Sequence, residues 1–444
     1  MKRAYIETLG CAKNIVDSQR LAFVLKQSGV ELTDVPQEAD YIFINTCGFI
    51  EQSKLQSIEY ILSFSKLKEE KGTKSPKIVV FGCLAERYKE ELLKEMPEID
   101  YIFGVRDYLA ALNLINGENG KKVLDTSKEY RDIIFAEKEY RRVVNKEYPF
   151  EYLKISEGCN HTCSFCAIPL IRGKQRSRTI QSLVDEAKFL ADNGIKEIIL
   201  VSQDTNSYGV DLYGKPKLVE LLYELSKVEG IEWIRLHYLY PTEVTEDLIK
   251  AISDMEKVCK YYDIPLQHAS DRILKLMKRG GNKKQYIEII EKVRKYTPDA
   301  AIRTTFIVGF PGETLEEFRE LKEFLKEAEF TWVGAFEYSH EEGTDAFRLE
   351  DNVSKISKAK RRIELLKFQQ PITEKRLGNL VGKVKKMIID EVLDEKNYIA
   401  RTEYNSPEVD GAVHLVSSKK LRKGDFVDAL VLKVIGYDLY ARQS

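Results

Sequence analysis

Six times between Tyr152 and His340 the chain runs through a short apolar stretch and then into a helical pattern. The stretches are YLKISEGC from Tyr152, EIILVSQDT from Glu197, WIRLHYLYP from Trp233, YYDIPLQHAS from Tyr261, IRTTFIVGFPGET from Ile302 and WVGAFEYSH from Trp332. Helical stretches follow them, such as SLVDEAKFLADNG, ending at Gly194 as a C′ residue, and TLEEFRELKEFLKEA from Thr314. Strands joined through helices must run parallel, and six such units in a row specify most of a (β/α) barrel. Function then belongs on the C-terminal face, where Gln203, Asp204, His237, Gln267, His268, Gly309, Glu313 and His340 would rim one mouth.

Upstream, three segments share a plan of strand-like run, cysteine, helix-like run: KRAYIETLGCAKN, DYIFINTCGFIEQ and KIVVFGCLAER. Their cysteines, Cys11, Cys47 and Cys83, are spaced 36 residues apart. This period suggests βαβ units and a small parallel sheet, with all three thiols beyond the carboxyl ends of the strands, where open α/β sheets bind ligands. A lone free cysteine is usually a small buried hydrophobe. Three at one strand-end position, each beside a glycine (Gly10, Gly48, Gly82), point instead to a site.

Residues 118–144 are charged and weakly periodic and read as a linker with one strand at most. The basic stretch KISKAKRRIELLKFQQ reads as a helix stopped near Pro371, and residues from about 378 to 441 read as a small β-barrel. The domain expectation is therefore α/β: residues 1–117 a small parallel α/β domain, 118–144 a linker, 145–372 a partial (β/α) barrel and 373–442 a small β-barrel. Net charge is -1 with 32% charged residues, which argues against a large nucleic-acid footprint. The start, MKRAYIETLG, has no apolar leader, and no apolar run is long enough to span a bilayer, so no membrane partner is expected. Seven cysteines, an odd number, imply reduced thiols and a cytoplasmic location, where clustered cysteines bind metal more often than they form disulfides.

The densest cluster is EGCNHTCSFC, with Cys159, Cys163 and Cys166 spaced C-x3-C-x2-C. A closed structural zinc site needs four ligands, and His161 is too close in sequence to both neighbouring cysteines to fit the usual spacing. Three thiolates can instead hold three corners of an iron–sulfur cube and leave the fourth iron open to a small molecule.

CNHTCSFC at the end of a first barrel strand resembles the signature of the radical S-adenosylmethionine (SAM) superfamily. The resemblance implies a 4Fe-4S cluster on Cys159, Cys163 and Cys166, with SAM on the open iron and a 5′-deoxyadenosyl radical as its product. LGCAKNIVDSQR, INTCGFIEQSKLQSI, VSQDTNSYG, PLQHASDRILKLMKR, IVGFPGET and SPEVDG extend it, in order and along nearly the whole chain, to the methylthiotransferases. That family has an N-terminal cysteine domain, a radical SAM core and a C-terminal TRAM barrel. It implies a second, auxiliary 4Fe-4S cluster on Cys11, Cys47 and Cys83. It also implies two uses of SAM, one donating a methyl group to sulfur and one generating the radical. Within the family, LGCAKN, NTCGFIE, SFCAIPLIRG and SQDTNSYG are similar to the branch that thiomethylates the β-carbon of an aspartate in ribosomal protein S twelve. Members that modify tRNA adenosine read differently at these points, and they form the alternative. A zinc-containing RNA-binding module is a further one.

The resemblance places Gly309, Gly312 and Glu313 in a motif shaping the SAM pocket, and Gln203 and Asp204 where relatives contact the methionine moiety. Partners implied are ribosomal protein S twelve and a low-potential electron donor, with the chain acting as a monomer. His237, His268 and His340 are open between substrate contacts and structural roles. Arg172, Arg176 and Arg178 are open between a substrate carboxylate and solvent, and Cys259 reads as core.

Overall fold

The computed structural model describes residues 1–70, 76–105, 107–115, 123 and 141–443. The expected linker strand in 118–144 falls mostly outside them. The chain divides into two compact units: Met1–Val144 with Ser156–His161 and Cys166–Glu186, and Asn145–Ile155 with Thr162–Phe165 and Ala187–Ser444.

The first unit is built on a parallel sheet of strands β1 (Arg3–Thr8), β2 (Glu31–Leu32), β3 (Tyr41–Thr46), β4 (Lys77–Gly82) and β5 (Tyr101–Ile102), in the order β2-β1-β3-β4-β5. Strands β3 and β4 are buried on both faces after their first residue, which explains their unbroken apolar character. The register aligns Thr8 with Asn45 and Thr46 with Gly82, so the three 36-residue repeats end side by side. A short antiparallel pair, β7 (Ser156–Glu157) with β8 (Arg176–Ser177), belongs to the same unit.

The second unit carries all six strands expected of the barrel: β6 (Phe150–Lys154), β9 (Glu197–Val201), β10 (Trp233–Leu236), β11 (Tyr261–Asp263), β12 (Ala301–Val308) and β13 (Trp332–Glu337). They form two three-stranded parallel sheets, β10-β9-β6 and β11-β12-β13. Between β10 and β11 the ladder is replaced by scattered bonds, such as Cys259 N–H to Ile234 O (2.9 Å) and Leu239 N–H to Asp263 O (2.8 Å), because β11 is only three residues long. The helix Leu315–Ala328 starts with a reciprocal cap between Thr314 and Glu317. Gly194 takes a left-handed φ of 90° after Ile180–Asp192, as a C′ residue should.

One expectation is corrected. The basic helix does not stop near Pro371 but runs unbroken over Lys355–Gly378. Its buried stripe, Leu365, Gln369, Thr373 and Leu377, continues past the proline, while Pro371 and Lys367 are exposed. The carbonyl that loses its helical partner therefore faces water, and the continuing apolar face outweighs the local loss.

Strands β14 (Val384–Val392), β15 (Asn397–Thr402), β16 (Val413–Val416), β17 (Phe426–Ile435) and β18 (Asp438–Arg442) close into a barrel. Its core is continuous with the starts of β10 to β13: Trp233, Cys259, Tyr261, Ala301 and Trp332 pack with Met387, Ile389, Tyr404 and Val427. Cys259 is thus a core residue. Among the described residues no helix is long and apolar enough to cross a membrane.

Candidate functional site

Cys11, Cys47 and Cys83 follow β1, β3 and β4, and each is a free thiol. Cys11 caps the helix Ala12–Gln27, and Cys83 opens the helix Cys83–Arg87. The flanking glycines explain how the segments meet. A Cβ on Gly10 would stand 2.9 Å from Cys47 Cβ, one on Gly48 would lie 2.8 Å from the Leu84 backbone, and one on Gly82 (φ 97°) would strike Asn45 Oδ1 at 2.3 Å. Only glycine permits this approach.

Buried polar groups brace the three turns. Asn14 donates to Leu9 O (2.7 Å) and Thr46 O (3.3 Å), Thr46 Oγ1 to Phe81 O (2.6 Å), and Ser57 Oγ accepts from Cys47 N–H (3.0 Å). Burial pushes the Cys47 thiol up and the Cys83 thiol up to about 12, with Cys11 adding repulsion to both. Burial also acts on Cys11, but Lys13, Arg172 and the N–H groups of the helix start outweigh it and hold that thiol low. A pocket of three crowded thiols, two of them at helix N-termini and with no disulfide, is matched to a cationic metal group that removes the protons.

Arg172 enters this pocket. It is 1% exposed, and its Nη1 meets Glu157 Oε1 (2.7 Å) and Asp17 Oδ2 (3.2 Å). Nη2 meets Asn14 Oδ1 (2.7 Å) and Cys83 Sγ (3.2 Å). Arg178, also 1% exposed, pairs with buried Glu186. Neither arginine faces solvent. Sequence reading missed Asn14 and Asp17, although their spacing after Cys11 puts polar side chains on one buried helical face.

The second thiol set spans the turn from Cys159 to Cys166, and all three thiols are free and half-buried. In the first unit the base of this loop is pinched shut. Cys159 N–H donates to Gly173 O (3.0 Å), and a Cβ on Gly158 (φ 78°) would strike Lys174 O at 2.3 Å. In the second unit Arg279 donates to Cys163 Sγ (3.5 Å) while its guanidinium lies 4.0 Å over the Tyr240 ring. Ser164 is fixed by Met277 O (2.8 Å) and Leu276 O (2.7 Å).

Gln203 and Asp204 follow β9, half-buried and buried respectively, and Ser207 donates to the Asp204 carboxylate. Gly309 (φ 71°) and Gly312 (φ 80°) shape the turn after β12. Glu313 is buried beneath it: one oxygen accepts from Gly309 N–H (2.6 Å) and the other from Arg361 (2.6 Å). Its carboxylate is used on the turn's own backbone. His268 accepts from Ser270 N–H at Nδ1 (3.0 Å), leaving its Nε2 proton toward Glu313 (3.6 Å). His237 bonds Ser406 (2.8 Å), and His340 lies against Phe347 (4.4 Å). Each histidine thus has a structural partner.

The family described as the Radical SAM superfamily matches residues 153–325, Uncharacterized protein family UPF0004 matches 3–104 and the TRAM domain matches 381–443. The chain is 49% identical over 441 residues to the ribosomal protein uS12 methylthiotransferase RimO of Aquifex aeolicus, covering 99% of this chain and 96% of that one. It is 46% identical to RimO of a Sulfurihydrogenibium species, covering 97% of each. Among solved structures, the radical SAM methyltransferase TsrM of Kitasatospora setae aligns with a TM-score of 0.57 at 16% identity, over 76% of this chain and 73% of that chain, a likeness of fold. With such identity along its whole length, the chain belongs to the ribosomal protein uS12 methylthiotransferase RimO family of radical SAM enzymes.

Proposed function

We propose that this protein inserts a methylthio group at the β-carbon of an aspartate in ribosomal protein uS12. The observation that carries the reading is the pocket of Cys11, Cys47 and Cys83, a second three-thiol set in a RimO-family chain that also carries the Cys159–Cys166 signature. Each set would hold one 4Fe-4S cluster with an open iron. The clusters and SAM supply radical generation and sulfur chemistry, which a C–H bond without an acid–base handle requires.

The chain's own groups hold and shield these cofactors. Gly10, Gly48 and Gly82 bring the first thiols together, and Arg279 steadies Cys163. Gly309 and Gly312 form a turn lining the SAM pocket, with Glu313 fixing that turn from beneath. Gln203 and Asp204 address the methionine moiety. Residues 1–117, 145–372 and 373–442 would act as auxiliary-cluster domain, radical SAM core and TRAM barrel. The enzyme would work in the cytoplasm as a monomer supplied by a low-potential electron donor.

The test is anaerobic incubation of the reconstituted protein with dithionite, SAM and a uS12 peptide carrying the target aspartate. A mass gain equal to SCH3 replacing H on that residue is expected. Modification of tRNA adenosine and not of the peptide would transfer the protein to the other branch.

A further inference from the structure

Arg172 stands six residues after Cys166, at the end of the helix Ile168–Arg172, yet its guanidinium lies among the thiols of the other set. Asp17 and Glu157 are 3% and 4% exposed and border the same volume. Without Arg172, these two buried carboxylates would lie against thiols that must lose their protons to hold a metal group, an arrangement that burial and like charge both oppose. The guanidinium spreads over four partners: Nη1 serves Glu157 (2.7 Å) and Asp17 (3.2 Å), and Nη2 serves Asn14 (2.7 Å), Cys83 Sγ (3.2 Å) and the same Asp17 oxygen (3.3 Å). Asn14 is itself held by Leu9 O and Thr46 O, so its oxygen is aimed at Arg172. Only a planar fork can span these partners; a lysine offers one point of charge.

Resting on the two-cluster reading above, we infer that Arg172 is a positioning residue for the auxiliary cluster, donating a hydrogen bond to the Cys83 sulfur and setting the reduction potential of the group that sulfur holds. Hydrogen bonds and positive charge at cluster sulfurs stabilise the reduced form and raise the potential. Since Glu157 lies two residues before Cys159, the same guanidinium also ties the first thiol pocket to the base of the second thiol loop.

The test uses the full chain with Cys159, Cys163 and Cys166 all changed to alanine, so that only the auxiliary site can be loaded with iron and sulfide. About four irons per chain are expected in this background. Arg172→Met and Arg172→Lys are added to it, folding is checked by circular dichroism, and potentials are read by electron paramagnetic resonance during redox titration. Arg172→Met should lower the potential so that the reduced-to-oxidised ratio falls at least tenfold, about 59 mV for one electron. A folded Arg172→Met chain that takes up no iron where the background does would equally support the role. Arg172→Lys should shift the ratio at least threefold in the same direction, and it decides the matter alone if the methionine variant does not fold. An unchanged potential in the folded, loaded variant overturns the role of Arg172. No iron in the background itself overturns the auxiliary-cluster reading instead.

Discussion

Glu197 is fully buried between two domains' worth of arginine: Arg235 Nε lies 2.7 Å from one carboxylate oxygen and Arg401 Nη1 2.6 Å from the other. Arg401 also pairs with Asp390 (2.6 Å), and Arg235 reaches Glu403 O (2.7 Å). Burial pushes the Glu197 carboxyl up, but the two guanidinium groups outweigh it and hold it below the ordinary value. Glu197→Gln keeps the shape and removes the charge. It leaves two buried cations facing one carboxylate, Asp390, at a cost of about 3 to 5 kcal/mol. Both tryptophans of the chain report on this junction: Trp332 donates to Tyr404 O (2.7 Å), and Trp233 packs edge-on to Phe426 at 4.9 Å. Guanidinium denaturation followed by tryptophan emission should therefore show the midpoint falling by about 1 M, for a slope of about 4 kcal/mol/M. The sign with pH follows from the depressed carboxyl. Its contribution is complete above the unfolded value of about 4.3 and fades as pH falls through the folded value, so wild type and variant should converge in acid. A loss below about 1 kcal/mol at pH 7, or a gap that persists in acid, would refute the account.

Gly82→Ala would force a Cβ into Asn45 and Thr46 at a φ of 97°, and should lower stability by about 2 to 4 kcal/mol while reducing iron uptake at the N-terminal site, as read by denaturation and iron analysis. Arg279→Met removes the donor to Cys163 and the cation over Tyr240, and should lower SAM cleavage by about 10- to 100-fold, measured as 5′-deoxyadenosine formed. Burial pushes the Cys259 thiol up to about 12, so between the unfolded value of about 8.5 and that point the unfolded chain binds fewer protons and stability falls as pH rises. Cys259→Ala should remove about 1 kcal/mol of that decline between pH 8.5 and 9.5, seen as a smaller midpoint shift than in the parent.

Local pattern alone determined much of this protein. Apolar runs, the helical stretch from Thr314 and Gly194 mark strands and helices through backbone preferences that act within a few residues, and the barrel's six strands follow from them. The recurrence of Cys11, Cys47 and Cys83 was equally legible, because parallel strands in register must deliver equivalent positions to one edge. Pro371 misled because its penalty is local, whereas the stripe from Leu365 to Leu377 that overrides it exists only once the helix has a surface to cover. Arg172 was beyond sequence for the same reason. Its partners Asn14, Asp17 and Cys83 lie from 89 to 158 residues away along the chain, and no spacing rule reaches that far. Only tertiary packing, by excluding water and leaving few neighbours for a buried charge, decided that this arginine would sit on a thiol and not in solvent.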